Sequence, residues 1–263
     1  MTLVNFSTMH TTTITTLNLL LDLIGSDRSH QTLAQLRDEA TRVLGPHPSA
    51  HSFSRGAVAR LVKADSAARE AMRLRSFGAH VNFRHVRPRG GLSVPVPVPT
   101  TISDGTTNGT TDADGRSGLG VRNVVIPQGM MLSWGSMAVA RDEEVYEDPL
   151  SYDPFRFWRI REAASASATA SASKDGQGQG QGSREALSSF VATSLTHMPF
   201  GHGKHACPGR FLIDVELKMV MAYLVMHYDL AFPEEYGGKR PENRWLAEGE
   251  MPPVGARIRA RRR

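Results

Sequence analysis

Residues 200–209 read Phe-Gly-His-Gly-Lys-His-Ala-Cys-Pro-Gly, and Cys207 is the one cysteine of the 263-residue chain. The glycines ahead of it permit a tight loop whose backbone can lie close to a bound group. Pro208 suits the first position of a helix, where its missing N–H costs nothing. Beyond it, Leu212, Val215, Met219, Ala222, Tyr223 and Met226 recur at helical spacing and predict a long final helix packed through that face. Cys207 is therefore expected at a helix N-terminus, where free N–H groups and the dipole favour a thiolate. A thiolate held in a backbone cradle and aimed outward suits one strong axial bond to a metal.

Plainer readings stand beside this one. A lone cysteine is often a small buried hydrophobe, and one at a helix start can be a nucleophile. His197, His202, His205 and Cys207 could pass for a zinc cluster, although their spacing matches no common zinc framework. A single cysteine excludes an internal disulfide and fits a reducing compartment. The net charge of +5 is concentrated in Arg257, Arg259, Arg261, Arg262 and Arg263, so residues 256–263 read as a solvated basic tail. No groove-reading motif accompanies that charge, and a nucleic-acid partner is not expected. No run of eighteen apolar residues predicts a membrane span, and the N-terminus lacks signal-peptide character. As written, the sequence reads as soluble and intracellular.

The rest of the chain reads as helices first and strands later. Helices are expected over residues 1–25, ending at Gly25, over 31–44, and over 56–75, the last with Leu61, Ala64, Ala68 and Met72 on one side. Residues 79–99 suggest strands and turns, and 98–120 a polar loop insertion. Strand 121–126, the turn Pro127-Gln128-Gly129 and strand 130–137 suggest a hairpin. The Ala/Ser and Gly/Gln repeats of 163–183 predict a disordered insertion, since they bury too little apolar surface. The fold class is mainly α with a small β component, α+β.

The pattern Phe-Gly-x-Gly-x-His-x-Cys-Pro-Gly resembles the haem-binding signature of the cytochrome P-450 family, whose haem is held by a cysteine thiolate. Two further motifs agree in order. Glu70-x-x-Arg73 places two charges on one helix face, and Pro154-Phe155-Arg156-Phe157 resembles the family's Pro-x-Arg-Phe. The resemblance implies Cys207 as axial ligand of haem b (iron protoporphyrin IX) and a Glu70–Arg73–Arg156 network fixing the core behind it. It further implies His205 and Arg84 at the propionates, and Phe200 and Gly201 on the proximal side. Ser7-Thr8-Met9-His10-Thr11-Thr12 resembles the distal helix. There Thr11 would assist dioxygen, and His10 replaces the usual acid, as in some fungal members.

By resemblance the activity is a monooxygenase taking electrons from an NADPH-cytochrome reductase and oxidising a small organic, secondary-metabolite-like substrate. The resemblance covers the distal helix onward, a truncated fold of about half a full member, whose anchor and access roof are absent. A catalytically inactive haem-binding remnant is the alternative. Ala140-Arg141-Asp142 also departs from the family's His-Arg-Asp.

Overall fold

The computed structural model describes residues 2–99, 119–171 and 188–263. The chain opens with α1 (Thr2–His30), α2 (Thr32–Leu44), α3 (Arg55–Ala59) and α4 (Val62–Leu74). Strands β1 (Val81–His85), β2 (Leu92–Pro99), β3 (Leu119–Ile126) and β4 (Met131–Trp134) follow, then α5 (Ser136–Ala140), α6 (Arg156–Ser171) and α7 (Arg210–His227). The C-terminal part adds β5 (Tyr228–Ala231), β6 (Arg244–Leu246), β7 (Gly249–Met251) and β8 (Arg259–Arg262). The α+β class is as expected.

One compact unit comprises Met1–Val81 with Gly135–Arg263, and a second comprises Asn82–Trp134. At the centre of the first lies α4, in which every residue from Ala64 to Leu74 is buried. Its small side chains Ala64, Ala67, Ala68 and Ala71 let neighbouring elements approach closely, and Leu19, Leu23, Leu36, Phe155, Phe190, Leu217 and Val225 complete the core around it. A helix buried on all sides must still satisfy its polar groups. Its charged side chains find partners: Asp65 meets Lys218 and Arg161, Arg69 donates through Nη1 to the carbonyls of Ser189 and Ala192, and Glu70 meets Arg73.

Several expectations are corrected. Helix α1 runs past Gly25 to His30. The glycine serves close approach instead of termination, because a Cβ there would stand 3.2 Å from the Cβ of Arg240. The single helix over 56–75 is two, α3 and α4, broken where the amides of Arg60 and Leu61 turn back to the carbonyls of Ala57 and Val58. Helix α7 starts at Arg210, with Pro208-Gly209 as the turn ahead of it.

The hairpin of 121–137 is not one: β3 pairs with β2 and β4 with β1. Val86 is the reason. Its N–H donates to the Met130 carbonyl and its carbonyl accepts from Gly129, so the turn is drawn onto the β1 side. Strand β2 also has only one usable edge. Pro95, Pro97 and Pro99 share it and offer no N–H, so β3, in register from Leu92↔Ile126 to Pro99↔Leu119, is its partner on the other.

The expected disordered insertion begins too early, since Ala163–Ser171 continue α6, where Ala carries high helix propensity; residues 172–183 lie outside the described residues. Of the 98–120 insertion, residues 100–118 lie outside them too, while Pro99 and Leu119 are strand ends. The basic tail is not a loose end. Arg259–Arg262 form β8 against β5, with Arg261 on Asp229 (3.0 Å) and Arg259 on Glu234 (3.3 Å).

Candidate active site

The cysteine loop enters through a short backbone bridge in which Ser194 and His197 exchange N–H···O bonds of 3.0 and 3.2 Å. Phe200 is buried and meets Phe190 edge-on at 5.2 Å between centroids. From that anchor the chain reverses. Gly201 and Gly203 take φ of 68° and 72°, values that a Cβ resists. The loop closes where the Cys207 N–H donates to the Phe200 carbonyl at 2.8 Å. Cys207 is exposed, ahead of the eighteen-residue α7. Arg210 ties the turn down by donating to the carbonyls of Cys207 (2.6 Å) and Val191 (3.1 Å).

Behind this loop the structure brings Glu70, Arg73 and Arg156 together. Glu70 and Arg73 have no exposed side-chain surface, and their fork–fork pairing has N···O distances of 2.8 and 2.7 Å. The remaining Arg73 donors go to the carbonyls of Ala140, Pro149 (2.7 Å) and Ser151 (3.2 Å). Arg156 reaches Glu70 at 3.1 Å and also holds the Glu147 carbonyl at 2.6 Å. Glu70 additionally accepts from the Asp153 amide at 3.2 Å. One buried carboxylate thus collects two guanidiniums and a backbone N–H, and so closes the irregular stretch 147–156 over α4.

His205 is exposed on the turn Gly203–His205. His10 is exposed on α1, with half-buried Thr11 beside it. Arg84 lies on β1 in the second unit, exposed and donating to the Phe83 carbonyl at 2.8 Å. Among the described residues no three His, Cys, Asp or Glu side chains converge as a metal would require. The would-be zinc ligands are separated in role: His197 is buried, and His202 is bonded through Nδ1 to the Thr193 hydroxyl at 2.8 Å.

Sequence reading missed three charged groups. Lys218 is buried between Asp65 (2.6 Å) and Asp214 (2.7 Å), tying α7 to α4. Burial pushes the Asp65 carboxyl up, but Lys218 and Arg161 outweigh it and hold the group below its usual range. Arg69, stacked on the Phe157 ring at 4.6 Å, is lowered to about 10 by burial. Asp22 contacts Arg240 and lies 3.7 Å from Arg75. The local signals available were Arg69 beside Glu70 and Asp214 four residues before Lys218; Asp65–Lys218 and the Asp22 pairs join residues more than fifty positions apart with no motif.

A family model described as Cytochrome P450 matches residues 117–258. The chain is 41% identical over 259 residues to "Cytochrome P450 monooxygenase astC" of Aspergillus terreus, covering 98% of this chain and 41% of that protein. It is 39% identical to "Cytochrome P450 monooxygenase pbrC" of Penicillium brasilianum, over 98% of this chain and 40% of the relative. It is likewise 39% identical to "Cytochrome P450 monooxygenase tenB" of Beauveria bassiana, over 98% and 42%. The fold class and the cysteine loop define an α+β chain with one exposed cysteine ahead of its last helix, and with these matches the chain belongs to the cytochrome P450 family. It spans about two fifths of the length of the curated relatives it matches.

The family's cofactor is a haem iron, and the residues here fit one. The sulfur of Cys207 is accessible. The two left-handed glycines keep the loop beside it free of side-chain bulk, and Gly209 stands close enough that a Cβ there would lie 3.7 Å from Sγ. Among the described residues no helix is long and apolar enough to cross a membrane.

Proposed function

We propose that this chain supplies the thiolate side of a haem monooxygenase that oxidises a small organic molecule with dioxygen and electrons from an NADPH-dependent reductase. The observation that carries the reading is an exposed thiol at the closure of a two-glycine loop, backed by a fully paired Glu70–Arg73–Arg156 cluster. Cys207 would be the axial ligand, with Phe200 and Gly201 shielding the sulfur and tuning its electron donation. Bound there, haem b supplies the dioxygen and electron-transfer chemistry, to which a thiolate ligand contributes electron density. His205 and Arg84 would give cationic or N–H partners to its carboxylates. Thr11 would donate a hydrogen bond from its hydroxyl on the distal side, and His10 would hold or pass a proton. The relatives' printed names support a monooxygenase, and a secondary-metabolite substrate is what the family resemblance implies.

A second reading, a haem-binding chain without turnover, is favoured by His10 standing where the family carries an acid. The reduced, CO-bound difference spectrum of the purified chain tests the first step, with Cys207→Ala beside it. A strongly red-shifted Soret band in the native chain and its loss in the variant support the thiolate assignment. Haem uptake with no difference between the two would overturn it. Substrate oxidation by the haem-loaded chain then separates enzyme from remnant.

A further inference from the structure

His197 is a buried group whose ring has no hydrogen-bond partner among the described residues. Its side chain is 1% exposed, and neither ring nitrogen is bonded by any of them. The backbone is satisfied through Ser194, so the imidazole alone is orphaned. Burial pushes its pKa well below the ordinary histidine range, with Arg69 and Arg73 adding to the effect. The ring is thus neutral, with one N–H to give and one lone pair to fill. Phe157 stands edge-on to it at 5.9 Å and offers neither. Arg73 has all five N–H groups engaged elsewhere.

A cavity lies against this ring, lined by His197, Ser76, Ser136, Met72, Ala140 and Met198 among others. The space open to the centre of a water-sized sphere is about 10 Å³, room for one water molecule and for nothing larger. Its polar wall is made of His197, Arg73 and two buried serines. Ser76 Oγ already donates to the Gly78 carbonyl (3.2 Å), and Ser136 Oγ to the Ala79 carbonyl (3.3 Å). Each hydroxyl proton is therefore spent, and each oxygen still has lone pairs to accept with.

We propose that this cavity is a site for one structural water, which accepts from the His197 ring N–H and donates to the hydroxyls of Ser76 and Ser136. The water's own count closes at one proton received and two given, three bonds in all, the usual number for an internal water, and it satisfies one of the two His197 ring nitrogens. The water ties the C-terminal end of α4 and the start of α5 to the backbone bridge that leads into the cysteine loop.

A crystal structure of the full chain, at a resolution that reveals ordered water, is the direct test. Density for a water within hydrogen-bonding distance of a His197 ring nitrogen and of either serine Oγ is the expected result. A dry cavity, or a His197 ring turned to bond a protein group, would overturn the proposal. Denaturant unfolding of His197→Phe, Ser136→Ala and the double variant gives a second reading. Loss of one shared water makes the two changes non-additive, by roughly fivefold or more in the unfolding constant. Additivity to within about twofold would count against the bridge, and the crystal structure decides alone if a variant does not fold.

Discussion

Glu70 and Arg73 face no solvent, so each survives as a charge only because the other, Arg156 and four backbone groups surround them. Removing one partner of such a pair leaves an uncompensated buried charge, which costs about 3–5 kcal/mol. Arg73→Met is expected to lose that much in urea unfolding, because it strands Glu70 together with the carbonyls of Ala140, Pro149 and Ser151. Arg159→Ala is the contrast. Its ion pair with Asp153 is on the surface, with the arginine side chain 55% exposed, and its loss should fall within about 1 kcal/mol. Equal losses for the two variants would refute the view that burial sets the worth of these pairs.

Helix α7 is apolar on more than one face, and that decides what could be read from sequence. Spacing alone selected Leu212, Val215, Met219, Ala222, Tyr223 and Met226 as the packed side. Of that side the structure buries Ala222, but its main buried row is Ile213, Leu217, Met221 and Val225, four residues apart, while Leu212 is 56% and Tyr223 51% exposed. Leu217→Ala should therefore cost about 2–5 kcal/mol as a core deletion, and Leu212→Ala within about 0.5 kcal/mol either way. Denaturation midpoints of the two variants check the assignment. The presence of α1, α2, α4 and α7 was legible because helical periodicity is local. Strand pairing was not, because Val86 competes with the adjacent turn and only the folded chain settles which strand wins. The cysteine loop and the Glu70, Arg73 and Arg156 positions were legible as motifs. Asp65–Lys218 was not, because 153 positions separate its members and no local pattern distinguishes a buried lysine from a solvated one.

At the scale of the whole molecule, one ionic network ties the first helix to the last sixth of the chain. Asp22 on α1 lies against Arg240 and Arg75; Arg75 and Arg141 both reach Glu250 on β7, at 2.8 and 2.5 Å. Asn18 accepts from Arg240 and Asn243 at 2.8 Å each. Burial outweighs the two arginines and, with a smaller push from Glu250, raises the Asp22 pKa from 3.8 to about 6. The sign follows from proton binding. Between those two values the folded chain holds a proton that the unfolded chain has released, so this group's contribution to stability falls as pH rises from 3.8 to about 6. Below the window both states are protonated and the group costs nothing. Above it both are ionised and the full penalty stands, on the order of 3 kcal/mol for a shift of that size. Asp22→Asn carries no titrating proton there. The stability of the native chain relative to this variant should therefore drop by that order between pH 4 and pH 6.5, measured by urea unfolding at each pH. A constant difference across the window would mean that Asp22 is ionised throughout, with Arg240 and Arg75 compensating its burial in full.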